Sequence, residues 1–357
     1  MGEENREEGA LQRSVRSRFV LACLLLAAAA CRGSTGPTPP ETGNPYVSPN
    51  SYETAVFEGY TVQDPARSRS FAIRIRYPVG APAPLPLVLF SHGGGPNPQG
   101  HLANEEWGTR LAAVGYAVIH MAHPLDDPAN HCASLGIPPT ECDPASISAE
   151  STLGAIWYHR PRDASAVVDD LDAIEAATGL RFNRSQIALA GHSGGAHTVM
   201  SAAGAAVDWS ASVRGVVYRE PRIVAFLALS PQGIGIFGMS ADSWDGIRAP
   251  VMVTTGAADS GGATDDPALR LHPFQYMPPP DKYQLYLDSA DAIHKVFGLN
   301  VEEGAGDRPL TQLEEYVWVS SLAFLDAYVR GYPAAQAWLG SRAIEGWSAG
   351  VAVISRK

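Results

Sequence analysis

The chain has 357 residues, 45% of them hydrophobic, which suits one large globular domain with a buried core or two small ones. Its formal net charge is −11 and it contains no run rich in Lys and Arg, which argues against a nucleic-acid partner and against binding to an anionic membrane surface.

The first 30 residues have the pattern of a signal peptide. Arg13, Arg16 and Arg18 precede an apolar run over residues 19–30. A run of this length suits the core of a signal peptide and is too short to span a bilayer as a permanent helix. We therefore predict an exported protein whose signal peptide covers residues 1–30.

The residues around Cys31 resemble a bacterial lipobox, in which the cysteine is lipidated and becomes the mature N-terminus. Ala28 stands where a lipobox usually has Leu, and Cys23 is a second match with little apolar sequence before it. The pattern predicts a cell-envelope lipoprotein with lipidation at Cys31, and the alternative is plain secretion or a periplasmic protein. Residues 31–50, which are rich in Pro, Gly, Ser and Thr, are predicted to be a flexible tether.

From residue 51 on, short apolar runs alternate with helical patterns, and no internal repeat is visible. The predicted strands cover residues 71–77, 87–90, 117–121, 187–190, 223–229, 250–254 and 283–287, and the predicted helices cover residues 103–114, 164–177 and 313–328. This alternation predicts an α/β fold with a mostly parallel central sheet and helices on both faces. Strand 71–77 alternates as an edge strand does, the domain is predicted to cover residues 51–335, and residues 336–357 are expected to be a C-terminal tail.

A long irregular stretch over residues 122–162 is predicted to be an ordered loop near the mouth of the site. It contains Cys132 and Cys142, close in sequence in a chain that leaves the reducing cytoplasm. A disulfide between them is our prediction, and the alternatives are two free thiols or a zinc site for which His131 is the neighbouring ligand.

The segment Gly191-His192-Ser193-Gly194-Gly195 follows an apolar run and precedes small helix-forming residues. This order predicts a strand, a sharp strained turn and a helix, with Gly191 and Gly195 providing room on either side of the turn. Such a turn lifts the serine hydroxyl clear of the sheet, so Ser193 is the candidate nucleophile. The alternative is a Gly-rich turn with an ordinary serine.

A nucleophilic serine needs a base and a carboxylate that orients the base. His294 follows the last predicted strand, and Asp259 follows the Gly turn at the end of strand 250–254. The order Ser193, Asp259, His294 is the one expected for this kind of fold. His120 and His123 are other pocket candidates, and the rival carboxylates are Asp265, Asp266, Asp288 and Asp291.

The run Ser91-His92-Gly93-Gly94-Gly95 opens after the strand over residues 87–90 and supplies backbone N–H donors for an oxyanion. Gly94 and Gly194 are the predicted pair of donors. A phosphate-binding loop is the other interpretation of these glycines, but no Lys-Ser or Lys-Thr follows them.

Together these motifs resemble the α/β-hydrolase superfamily over residues 52–330, and within it the group related to dienelactone hydrolases and platelet-activating-factor acetylhydrolases. The motifs that carry the resemblance are Ser91-His92-Gly93-Gly94, His123-Pro124, Arg160-Pro161-Arg162-Asp163, Gly191 to Gly195, Ser230-Pro231-Gln232-Gly233, Gly256 to Asp259, and Ala290 to His294. Two departures stand out. Dienelactone hydrolases use Cys where this chain has Ser193, and two residues separate Asp291 from His294 where the group often reads Ala-Asp-His.

The resemblance implies hydrolysis of small-molecule carboxylic esters through an acyl-enzyme on a Ser-His-Asp triad, with neither a metal nor an organic cofactor. A lactonase, a thioesterase, a polyester hydrolase and a peptidase remain alternatives on the same triad. The alternative from another class is a non-catalytic surface binding protein that keeps the fold.

Overall fold

The computed structural model describes residues 43–125, 158–208, 214–300 and 309–357. The predicted signal peptide, the lipidation site Cys31 and the predicted disulfide partners Cys132 and Cys142 lie outside these ranges.

The strands are β1 (Thr54–Asp64), β2 (Arg69–Pro78), β3 (Leu85–Ser91), β4 (Ala117–Met121), β5 (Phe182–His192), β6 (Ala206–Val207), β7 (Val216–Val217), β8 (Ala225–Leu229), β9 (Val251–Gly256), β10 (Lys282–Leu287) and β11 (Ala352–Arg356). The helices are α1 (Glu105–Ala113), α2 (158–169), α3 (Leu171–Thr178), α4 (Gly194–Ala203), α5 (His272–Tyr276), α6 (His294–Phe297), α7 (Gln312–Tyr328), α8 (Pro333–Leu339) and α9 (Ala343–Trp347). Short 3₁₀ turns cover Pro65–Arg67, Gly100–Leu102 and Pro267–Leu271.

Nine of these strands form one sheet, in the order β1-β2-β4-β3-β5-β8-β9-β10-β11. The strands from β4 to β10 in this order run parallel, and antiparallel strands flank them on both sides. Every residue of β4, β8 and β9 is buried, as expected for strands that are covered on both faces. The predicted mostly parallel α/β architecture is confirmed.

Two hydrophobic cores lie on opposite faces of the sheet, because successive side chains of a strand point to opposite sides. Leu87 and Leu89 of β3 join the core that contains Val199 of α4. Val88 and Phe90 join the other core, to which α7 contributes many of its buried side chains. In the part of the chain that the structure describes, no helix is long and apolar enough to cross a membrane.

The prediction that residues 71–77 form an edge strand is wrong. This segment belongs to β2, which lies between β1 and β4, and the edge position is taken by β1. Strand β1 buries only Val62 fully, so its sequence lacks the apolar signal of a strand. The partly exposed residues of β2, such as Ala72 and Arg74, therefore do not mark an open edge.

Both predicted appendages pack onto the domain where the structure describes them. Within residues 336–357, predicted to be a tail, β11 pairs with β10 and extends the sheet. Within residues 31–50, predicted to be a tether, the buried Tyr46 donates a hydrogen bond of 2.8 Å from its hydroxyl to Asp326 Oδ2. Trp338 Nε1 donates to the carbonyl of Asn44 at 3.0 Å. The predicted irregular stretch 122–162 is helical from residue 158 on.

Candidate functional site

Ser193 stands at the end of the middle strand of the sheet, where β5 turns sharply into α4. Its backbone has φ 55° and ψ −118°, a conformation that L-residues adopt only under strain. The Ser193 N–H donates to the carbonyl of Leu229 in β8 at 2.9 Å, which fixes the turn to the neighbouring strand. In the described structure the Ser193 hydroxyl does not cap α4.

The two glycines of the motif are needed because backbone atoms crowd both sides of the turn. A Cβ on Gly191 would lie 2.5 Å from the carbonyl oxygen of Gly195, and a Cβ on Gly195 would overlap the carbonyl oxygen of Ser91. The prediction that Gly191 and Gly195 provide room on either side of the turn is therefore confirmed.

The predicted base and its carboxylate partner lie together. His294 Nδ1 is 2.8 Å from Asp259 Oδ1; Asp259 is fully buried, and the His294 side chain is 18% exposed. A β-bridge between Ala258 and Ile293 joins the loop after β9 to the loop before α6, which brings the two residues into register.

Ser193 lies beside the same pair. A Cβ on Gly262 would lie 3.7 Å from Ser193 Oγ, and a Cβ on the adjacent Gly261 would lie 3.4 Å from His294 Cγ. The His192 ring packs against the His294 ring with centroids 4.6 Å apart, and His192 Nε2 donates to the carbonyl of His294 at 3.0 Å. The loop over Gly261 and Gly262 and the residue before the turn thus both hold His294 next to Ser193.

Asp259 has further partners that the sequence analysis did not identify. Ser230 Oγ donates to Asp259 Oδ1 at 2.7 Å and lies 2.7 Å from His294 Nδ1. Thr255 Oγ1 donates to Asp259 Oδ2 at 2.9 Å. Ser230 directly follows β8, the strand next to β5, and that position at the carboxyl end of a strand is the signal by which it could have been found.

The buried side chain of Arg270 connects two loops around the carboxylate, the one after β8 and the one after β9. Its Nε lies 3.2 Å from Asp259 Oδ1, and the guanidinium donates to the carbonyls of Asp259, Ser230 and Gly261 at 2.6, 2.9 and 2.8 Å. Burial lowers the pKa of Arg270, and the charge of Asp259 opposes that shift. No local pattern in the sequence points to Arg270, which lies in the 3₁₀ turn Pro267–Leu271.

The predicted oxyanion donors Gly94 and Gly194 lie next to each other. A Cβ on Gly194 would be 3.4 Å from the nitrogen of Gly94, and a Cβ on Gly93 would be 3.4 Å from Ser193 Cβ. Gly194 is the first residue of α4, so its N–H has no acceptor within the helix. The loop after β3 therefore presents backbone N–H groups beside the Ser193 turn.

A second Ser–His–Asp array lies behind this loop. Ser91 Oγ is 3.0 Å from His123 Nε2, and His123 Nδ1 is 2.8 Å from Asp163 Oδ2. Asp163 also accepts two hydrogen bonds from Arg69, at 2.8 and 2.9 Å. Burial lowers the pKa of His123 to about 4. Burial of Asp163 raises its pKa, but the hydrogen bonds from His123 and Arg69 outweigh burial and hold it below its usual range.

The residues of this second array are not accessible to a substrate, because Ser91, His123 and Asp163 are each at most 1% exposed. Its contacts link β3, the segment after β4 and α2, and Ser91 Oγ extends the link to Thr198 Oγ1 of α4 at 3.2 Å. The array therefore supports the loop after β3, and both ring nitrogens of His123 are engaged in it.

In the described structure the partners of His294 Nδ1 are Asp259 and Ser230, and not the other rivals named from the sequence. Asp265, Asp266, Asp288 and Asp291 are exposed, and Asp266 caps the 3₁₀ turn Pro267–Leu271. His120 is buried against Phe90 with ring centroids 5.0 Å apart.

Among the residues that the structure describes, no group of three or more His, Cys, Asp or Glu side chains is placed to hold a metal ion. A scan against models of protein families gives no match to this chain, and a search of the curated proteins gives no significant match.

Proposed function

We propose that this chain is a serine hydrolase of the α/β-hydrolase type that cleaves small-molecule carboxylic esters. The observation that carries the proposal is the His294–Asp259 pair held beside a serine in a strained strand-to-helix turn at the carboxyl end of the middle strand. The chain order Ser193, Asp259, His294 and the Gly loop after β3 support the same interpretation.

In the proposed reaction, Ser193 Oγ attacks the ester carbonyl carbon while His294 Nε2 takes the serine proton. Asp259 accepts the Nδ1–H of His294 and so stabilises the imidazolium that forms. The N–H groups of Gly94 and Gly194 receive the negative charge that develops on the carbonyl oxygen. The alcohol leaves with the proton from His294, and water activated by His294 then releases the acid from Ser193.

Export belongs to the same proposal and rests on the sequence pattern of residues 1–31, with a lipid anchor on Cys31. A screen of ester chain lengths, lactones and thioesters identifies the acyl and alcohol groups once the nucleophile is established.

The first test compares the purified chain with Ser193→Ala in the hydrolysis of p-nitrophenyl acetate and butyrate. We expect the variant to lose at least about 10³-fold in kcat, because a triad without its nucleophile keeps only the contribution of binding and of the oxyanion donors. Equal hydrolysis by both proteins would exclude Ser193 as the nucleophile.

Covalent labelling with a fluorophosphonate probe separates an enzyme from a binding protein of the same fold. We expect the label on the peptide that contains Ser193. The matched control is Ser91→Ala, because Ser91 belongs to the buried Ser–His–Asp array. This variant should still be labelled, whereas Ser193→Ala should not.

A further inference from the structure

Four successive carbonyl groups in the loop after β3 are each held by a side chain. Arg160 Nη1 donates to the carbonyl of His92 at 2.9 Å, and Arg160 Nη2 donates to the carbonyls of Gly94 and Gly95 at 2.9 and 2.6 Å. His92 Nδ1 lies 2.7 Å from the carbonyl oxygen of Gly93. The loop therefore has its carbonyl oxygens tied down although it consists largely of glycine.

A carbonyl that is fixed also fixes the N–H of the same peptide group. The peptide bonds between residues 92 and 95 are trans, so each N–H points away from the carbonyl of the preceding residue. The clamp on the Gly93 carbonyl thus sets the direction of the Gly94 N–H. The clamp on the His92 carbonyl does the same for the Gly93 N–H.

The contacts of His92 define which of its ring nitrogens carries the proton. A carbonyl oxygen can only accept, so the hydrogen bond to Gly93 requires the proton on Nδ1. Burial lowers the pKa of His92 well below its usual value, and the charge of Arg160 lowers it further. The ring is therefore neutral near pH 7, with its single proton on Nδ1.

Arg160 also lies against the other predicted oxyanion donor. It is 1% exposed, and a Cβ on Gly194 would be 3.2 Å from Arg160 Nη1. The guanidinium thus sits between the loop after β3 and the start of α4. Its flat fork of donors matches several carbonyls at once, which a lysine ammonium on a flexible stem does not reproduce.

We propose that His92 and Arg160 are positioning residues that aim the Gly94 N–H at the oxyanion formed on the substrate. His92 orients this N–H directly through the Gly93 carbonyl, and Arg160 fixes the peptide groups on either side of it through the carbonyls of His92 and Gly94. The inference deepens the proposed esterase function and rests on it. Neither residue contacts the reacting atoms in this role. Each acts by orienting a peptide group of a glycine loop that would otherwise adopt many conformations.

The test measures kcat and KM for p-nitrophenyl butyrate with the wild-type chain, Arg160→Gln and Arg160→Lys. We expect Arg160→Gln to lower kcat by about 10²-fold or more, as the loss of one oxyanion donor does, with KM changed less than about threefold. Arg160→Lys should fall in between, because one ammonium cannot hold three carbonyls.

The Ki of a trifluoromethyl ketone distinguishes a positioning role of Arg160 from a purely structural one. The Ser193 Oγ bonds to the ketone carbon, its proton passes to His294, and the ketone oxygen becomes an oxyanion that needs the same donors. We expect Ki for this inhibitor to rise in parallel with the loss in kcat/KM across the Arg160 variants. Inhibition by 1-butanol, which has no carbonyl group and forms no oxyanion, should change little.

His92 offers a second, conservative comparison. His92→Asn keeps a donor nitrogen at the same number of bonds from the backbone as Nδ1, whereas His92→Leu removes it. We expect His92→Asn to keep most of kcat and His92→Leu to lose about as much as Arg160→Gln.

The stability control is Arg330→Gln. The Arg330 side chain is 7% exposed, pairs with Asp326 Oδ1 at 2.9 Å and donates to the carbonyl of Val114 at 2.9 Å. We expect a lower Tm with kcat per folded molecule unchanged.

An Arg160→Gln variant that folds and keeps kcat would overturn the inference and leave the proposed function intact. A loss of activity confined to a higher KM would do the same. A wild-type chain that neither hydrolyses esters nor takes a fluorophosphonate label would overturn the proposed function, and the inference with it.

Discussion

Gly195 and Gly93 both lie near Ser193 but differ in the space available for a Cβ, so they form a matched pair for substitution by alanine. A Cβ on Gly195 would overlap the backbone oxygen of Ser91, whereas a Cβ on Gly93 would meet its nearest neighbours at 3.4 Å, an ordinary contact distance. Backbone atoms of packed elements cannot move aside without shifting β3 against α4.

We expect Gly195→Ala to lower the free energy of unfolding by about 3 kcal/mol, because overpacking at a backbone contact displaces whole elements. Gly93→Ala should stay within about 1 kcal/mol of the wild type. Urea unfolding followed by circular dichroism measures both. Similar losses in the two variants would contradict the packing argument.

At the level of single residues, the sequence predicted those that follow directly after strands. Ser193, Asp259 and His294 were found because the carboxyl ends of parallel strands meet at one edge. The roles of Arg160 and Arg270 were not predicted, although Arg160 lies in one of the motifs that carry the resemblance. Each contacts the site through a long side chain, Arg160 from α2 and Arg270 from a 3₁₀ turn. The direction of such a side chain depends on tertiary packing and leaves no local pattern.

Strand β11 is an edge strand whose hydrogen-bonding pattern can be read from one pair of residues. Lys282 and Lys357 exchange both backbone hydrogen bonds at 3.0 Å. The register then makes Gln284 and Ser355 the next bonded pair, whereas the Arg356 N–H points away from β10.

We expect Ser355→Pro to destabilise the chain by about 2 kcal/mol more than Arg356→Pro. Both residues are exposed, but only the Ser355 N–H bonds to β10, and proline removes it. Thermal unfolding of the two variants measures the difference. Equal Tm values would show that β11 contributes little to stability, or that its register differs from the one described.

At the level of elements, strands buried on both faces were predicted well and the two edge strands were not. Strands β4, β8 and β9 are buried throughout and mostly apolar, so they stand out from the sequence. Strands β1 and β11 have mixed exposure, because each lies at an edge of the sheet. Their pairing is set by neighbours that are distant in sequence, and the local pattern does not contain that information.

The whole molecule buries several neutral imidazoles, which links its stability to pH. Burial lowers the pKa of His120, His192 and His197 from 6.5 to about 3 and that of His123 to about 4. In the unfolded chain these rings take up protons as pH falls through 6.5, whereas in the fold they stay neutral. The unfolded state therefore binds more protons below pH 6.5 and is favoured there.

We expect the free energy of unfolding to decrease steeply as pH falls from about 6.5 to about 4, by up to about 1.4 kcal/mol per pH unit for each buried histidine. Urea titrations at a series of pH values give the slope and thus the number of protons taken up on unfolding. His197→Gln should reduce that number by about one. A stability that is flat between pH 4 and 6.5 would contradict the prediction.

At Ser193 the backbone conformation that suits the proposed reaction lowers the stability of the fold. A residue held in such a strained region costs of order 1–3 kcal/mol, and glycine would adopt the same φ and ψ almost freely. A selection for thermostability alone would therefore favour glycine at residue 193 and remove the hydroxyl that the proposed reaction requires. Stabilising substitutions that keep the proposed activity therefore have to be made at other positions, because a change at residue 193 gains stability only by losing the nucleophile.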